Sequence, residues 1–136
     1  MAFFLAIETT TKNCSVAIFD NEKLIALKEQ FSDDYSHAEQ LTLFITEVMQ
    51  EAHLTLNNIN AIVLSKGPGS YTGLRIGTST AKGLCYSLSI PLISISTLKA
   101  MAFGMASAES FELFCPMIDA RRMEVFSAVY DKEIKK

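Results

Sequence analysis

The sequence predicts an α/β fold: a mixed sheet flanked by helices in the order β-β-β-α-β-α-β-α, with the start of a second, similar lobe behind it. Three observations predict it. Three short apolar segments open the chain, joined by tight polar turns, the pattern of an antiparallel meander. From "SHAEQL" onward the apolar period lengthens to that of a helix and then alternates with short apolar runs. Finally, "FLAIETTTKNCSVAIFD" is echoed by "FCPMIDARRMEVFSAVYD", each reading as strand, acid (Glu8 or Asp119), polar turn, strand.

Taken in order, "FFLAIE" (Phe3–Glu8) is apolar without alternation, as in a strand covered on both faces. Strands follow at Cys14–Asp20 and Lys23–Gln30, joined through Asn21-Glu22. Leu41, Phe44, Ile45, Val48, Met49 and Ala52 keep helical spacing, and Ser36 with Glu39 forms a capping box, so a helix is expected over Ser36–Ala52. A strand at Asn60–Ser65 leads into a helix over Thr72–Leu88, which Pro91 ends. "PLISIS" (Pro91–Ser96) is a strand, and Thr97 is expected to cap a third helix to Ala108. Strands at Glu112–Asp119 and Arg121–Asp131 complete the chain. The first lobe is therefore expected over 1–109, and 110–136 as the opening hairpin of a truncated second lobe.

The chain has 136 residues, 49% hydrophobic and 20% charged, enough for a folded domain with a core. Twelve Lys+Arg against fifteen Asp+Glu give a net charge of −3 and no basic stripe, so contact with nucleic acid is expected only through a partner. Cys14, Cys85 and Cys115 form no C-x-x-C pair and read as small core residues in a reducing compartment. "MAFFLAIETT" has no basic start and no cleavage site, and reads as a strand. No apolar run approaches ~20 residues, so no membrane association is expected and the default location is the cytoplasm.

"SKGPGSYTGLRIGTSTAKG" (65–83) carries five glycines. The spacing of Gly67, Gly69 and Gly73 is neither a Walker A loop nor a dinucleotide fingerprint. On a helical projection Gly73, Leu74, Gly77, Ala81 and Leu84 share one arc, which Ile76 and Thr80 extend, while Arg75, Ser79, Lys82 and Tyr86 form a narrow polar strip. Each interior glycine costs about 1 kcal/mol relative to alanine. Close approach of another backbone explains that cost, and two candidates stand: the chain's own sheet or first helix, or another protein.

"GPGSYTGLRIG", with "AIETTTKNCSVAIFD", "SHAEQL", "IPLISISTL" and "IDARRMEVFSAVY", closely resembles the TsaB (YeaZ) family over nearly the whole chain. The resemblance implies an actin-like (ribonuclease H-like) lobe and a subunit of the machinery for threonylcarbamoyladenosine in tRNA. It implies a non-catalytic scaffold that pairs with TsaD, which modifies the adenosine beside the anticodon, and with the ATPase TsaE. The pairing helices correspond to Ser36–Ala52 and Thr72–Leu88, giving Leu41, Ile45, Gly73, Leu74, Ile76, Gly77, Thr80, Ala81 and Leu84 as candidate contacts, to a partner or to a second copy. The loop motif is Gly67, Pro68, Gly69, Ser70, Thr72 and Arg75. On this reading Gly77→Leu or Ala81→Glu leaves the fold intact and loses the partner.

Two competing functions stay open. A nucleotide-binding enzyme of the actin-like class would hold ATP or ADP at Glu8, Thr9, Thr10, Arg121 and Arg122, although "ETTTKN" lacks the glycine that eases backbone approach to phosphate. A zinc peptidase would need paired histidines, and His37 and His53 lie too far apart on a straight helix to share an ion. No cofactor and no metal are expected.

Overall fold

The computed structural model describes residues 1–32 and 37–136. Five strands, β1 (Phe3–Glu8), β2 (Asn13–Asp20), β3 (Lys23–Phe31), β4 (Ile59–Ser65) and β5 (Leu92–Ile95), form one sheet in the order β3-β2-β1-β4-β5. The meander β1-β2-β3 is antiparallel, while β4 runs parallel to β1 and β5 parallel to β4. Asn21 makes the β2–β3 turn possible at φ 54°, a left-handed conformation that asparagine tolerates better than most residues.

The helices α1 (His37–Glu51) and α2 (Tyr71–Leu88) touch each other and pack on one face of this sheet, α1 over β2 and β3 and α2 over β4. Their contact with the sheet is the main core, built from Leu5, Ile7, Val16, Ile18, Ile62 and Leu64 below and Leu41, Phe44, Val48 and Ala81 above. Ser36, expected to cap α1, lies outside the described residues. Before β4 a single 3-10 turn at Leu56–Asn58 intervenes, which the apolar pattern did not predict.

The second half departs from expectation in three places. Pro116 cannot donate to a strand ladder, and the expected strand Glu112–Asp119 is broken there into β6 (Leu113–Phe114) and β7 (Met117–Arg121). The expected strand Arg121–Asp131 begins as a turn, with Arg121, Arg122 and Met123 all at positive φ, and then forms β8 (Glu124–Ser127) and β9 (Tyr130–Asp131). β7 pairs with β8 and β6 with β9, both antiparallel. The third helix, α3 (Thr97–Ala108), is capped by Ser96, whose hydroxyl accepts from the Lys99 amide at 3.4 Å. Thr97 is instead buried, its hydroxyl accepting from the Gly67 amide at 3.2 Å.

Leu98 and Ala102 of α3 share a second cluster with Phe114, Ile118 and Tyr130. The apolar side of α3 thus meets the hairpin strands, while its first residue, Thr97, stays bonded to Gly67 of the loop before α2.

Candidate functional site

Three glycines of the 65–83 segment, Gly69, Gly73 and Gly77, are explained by the turn between β1 and β2. Thr9 and Thr10 in that turn are almost completely buried. The Thr9 hydroxyl donates to the Gly73 carbonyl at 2.7 Å, and the Ser70 amide donates to the Thr10 carbonyl at 2.7 Å. Ser70 also caps α2, its hydroxyl accepting from the Gly73 amide at 3.2 Å. A Cβ at Gly69 would stand 2.3 Å from the Thr10 carbonyl oxygen, at Gly73 2.0 Å from that of Thr9, and at Gly77 2.3 Å from the Thr9 hydroxyl. Glycine at these positions lets α2 lie directly on the turn. From the other side, the buried ring of His37 meets the Thr11 carbonyl through Nε2 at 2.5 Å. The loop before α2 is held in turn: Gly67, at φ 104° and joined to Pro68 by a cis peptide, accepts from the Thr97 amide at 2.9 Å.

The expected partner contacts are corrected by this packing. Leu41, Ile45, Gly73, Gly77 and Ala81 are buried within the chain, and Leu74, Ile76, Thr80 and Leu84 are half-buried, with Ile76 and Leu84 against the main core. The backbone that the small-residue arc admits is the chain's own. The free surface of the two helices is the opposite one: Leu43 on α1, and Tyr71, Arg75, Ser79, Lys82, Gly83 and Tyr86 on α2. Arg75 lies over the Tyr71 ring at 5.6 Å. Gly83 differs from the other helix glycines facing the turn, since a Cβ there meets nothing within 4 Å.

The β1–β2 turn and the β7–β8 turn face each other across a cavity of about 780 Å³. The two turns are built alike. Glu8 accepts from the Thr10 amide at 2.7 Å and from its hydroxyl at 2.5 Å, and Asp119 accepts from the Arg121 amide at 2.8 Å. In each, an acid closes the turn two residues ahead of itself. Of the candidate anion residues, Thr10 and Arg121 line the cavity, along with Gly69, Ser70 and Thr72 of the loop motif. Glu8, Thr9 and Arg122 are not in its wall. Thr11, Lys12, Phe31, Met101 and Phe126 are, and were missed. The polar turn "TTTKN" could have suggested the first two; no local signal marks the others.

Glu8 also bears on Cys14. Burial, and after it the Glu8 charge, push the Cys14 thiol up from 9.0 to about 11. The unfolded chain thus releases this proton first, so the stabilising contribution is complete below about pH 9 and lost as pH rises towards 11. In the folded protein Cys14 is expected to resist iodoacetamide at pH 9 while the exposed Cys115 is alkylated, read by mass spectrometry.

Among the described residues no group of three or more His, Cys, Asp or Glu could hold a metal ion, and no helix is long and apolar enough to cross a membrane. A profile of the family described as TsaD, tRNA N6-adenosine threonylcarbamoyltransferase, matches residues 33–136. The TsaB protein of Escherichia coli K12, named for tRNA threonylcarbamoyladenosine biosynthesis, is 34% identical over 95% of the chain and 55% of its own length. Its counterpart in Bacillus subtilis is 32% identical over 93% of the chain and 54% of its own length. The solved structure of YeaZ from Pseudomonas aeruginosa superposes with a TM-score of 0.87 at 30% identity, covering 96% of this chain and 60% of that one. The chain thus spans about half the length of the curated relatives it matches.

Proposed function

The chain belongs to the TsaD family, tRNA N6-adenosine threonylcarbamoyltransferase, and from that premise we propose that it serves threonylcarbamoyladenosine synthesis as a non-catalytic subunit of the TsaB kind. It has the actin-like, ribonuclease H-like α/β lobe expected of such a protein. Its partner on this reading is a TsaD subunit, with TsaE joining the pair in the cytoplasm and tRNA reached through the complex.

The observation that carries this reading is the outer surface of α1 and α2. Gly83 weakens α2 by about 1 kcal/mol, and among the described residues no contact accounts for it. Beside it Tyr86 is 90% exposed, and on α1 Leu43 is 54% exposed. A thin, open helix surface with aromatic and aliphatic anchors suits a protein interface. The two turn acids support the non-catalytic part, since each carboxylate is engaged in its own hairpin. Gly83→Glu and Leu43→Asp are expected to weaken TsaD binding at least tenfold while leaving the melting temperature within 2 °C or so of the parent. Isothermal calorimetry with TsaD checks this, and unchanged affinity in both variants overturns the interface.

A second reading rests on the cavity, where Lys12 and Arg121 flank the start of α2, and takes ATP or ADP there. No heat on titrating millimolar ATP into the isolated chain removes it.

A further inference from the structure

α3 has the composition of a buried helix and the surroundings of a surface one. Its residues, "TLKAMAFGMASA", hold a single charge, Lys99. A helix apolar on every side belongs in an interior. Yet only Thr97, Leu98 and Ala102 are buried, while Met101, Phe103 and Met105 are 41%, 63% and 52% exposed. On a helical projection Ala100 and Gly104 lie opposite Leu98 and Ala102, with Phe103 and Ala108 on either side, and all four are exposed.

The charges say what covers this face. Lys99 stands in the first turn of α3, at the positive end of its dipole, and Glu109 is the C-cap, at the negative end. Each sign is the unfavourable one for a helix standing alone. Beside an antiparallel copy of the same helix both become favourable, because each end then meets the opposite charge of the other copy. Lys99 and Glu109 stand equally far from Gly104, one on each side. With Gly104 on the two-fold axis, Lys99 therefore falls opposite Glu109 of the second copy, and Ala100 opposite its Ala108. Small residues at the crossing let the two helices approach closely.

The groove along α3 carries the same complementarity further. Ile95, Ala100, Phe103 and Ala106 line about 580 Å³, and Lys99 and Lys132 stand at its edge with the acid Glu133, which is itself paired with Lys135 at 2.9 Å. The segment after α3, "ESFEL" (109–113), holds Phe111, 61% exposed, between the acids Glu109 and Glu112. Among the described residues Lys99, Lys132, Glu109 and Glu112 make no ion pair within the chain. In the antiparallel arrangement this acidic, aromatic segment runs past Lys99 towards Ile95, along the basic, apolar groove of the other copy.

We propose that α3 is the contact of a homodimer, packed antiparallel on α3 of a second copy, with the segment 109–113 of each chain lying along the groove of the other. The contact uses no residue of the α1 and α2 surface, so the TsaD interface stands or falls separately.

Sedimentation equilibrium of the 136-residue chain at micromolar concentration tests it, and the mass of two chains is expected. Gly104→Leu brings a better helix former to an open position, so its melting temperature is expected to be no lower than the parent's. Its side chain enters the helix crossing, and dissociation is expected at least tenfold more readily. Lys99→Glu suits the helix dipole and is likewise expected to fold, but sets acid against acid across the axis and to weaken the dimer at least tenfold. Adding Glu109→Lys to Lys99→Glu reverses both signs and is expected to restore it. The proposal is overturned if the chain sediments as a monomer, if the dimer survives Gly104→Leu or Lys99→Glu, if the double reversal does not restore it, or if Gly83→Glu on α2 is what dissociates it.

Discussion

Gly73→Ala is expected to destabilise the protein by about 3 kcal/mol, at the upper end of what overpacking usually costs. The added methyl would sit 2.0 Å from the Thr9 carbonyl oxygen, and this neighbour is backbone that cannot rotate away. Relief requires α2 to lift from the turn, which breaks the Thr9 hydroxyl bond to the Gly73 carbonyl and strains that between Ser70 and Thr10. Gly83→Ala, the same change ten residues along the same helix, is expected to stabilise by about 1 kcal/mol, because nothing lies within 4 Å and alanine is the better helix former. Urea midpoints of the two variants should therefore move in opposite directions. A matched shift would mean that the turn does not hold α2.

Ala81→Glu is expected to prevent folding outright. Ala81 is completely buried in the main core with Leu41 and Val48, so the new carboxylate has no water and no cation to meet. An unpaired buried charge costs several kcal/mol, comparable with the whole stability of a small domain. Lys82→Glu, one residue on and exposed, is expected to change stability by no more than about 0.5 kcal/mol. Soluble yield and far-ultraviolet circular dichroism distinguish the two. The reading from sequence that Ala81→Glu and Gly77→Leu spare the fold is thus reversed.

Most of the first lobe was legible because its signals are local. β1 is recovered as predicted, β2, β3 and α2 within a residue or two, since apolar period and turn residues set those boundaries. The site was less legible for a physical reason. The arc of α2 was read correctly as a face for close approach, but which backbone approaches depends on residues sixty positions away in the β1–β2 turn. Helical projection carries no information about that pairing. The same holds for Met101 and Phe126, which reach the cavity from a helix and a strand with no shared motif. Pro116 was a local signal and was under-read: a proline inside an apparent strand marked the break between β6 and β7.

The position of β1 has a consequence for how the chain assembles. Its neighbours are β2 on one edge and, across a parallel pairing, β4 on the other, so residues 3–7 must meet residues 59–64. The hairpins zip early, because their partners are close in sequence. The central seam waits for residues more than fifty positions apart in sequence, a non-local contact of the kind that slows folding. During synthesis on the ribosome, the opening meander therefore emerges with one edge unsatisfied and finds its register only when β4 follows it out of the exit tunnel.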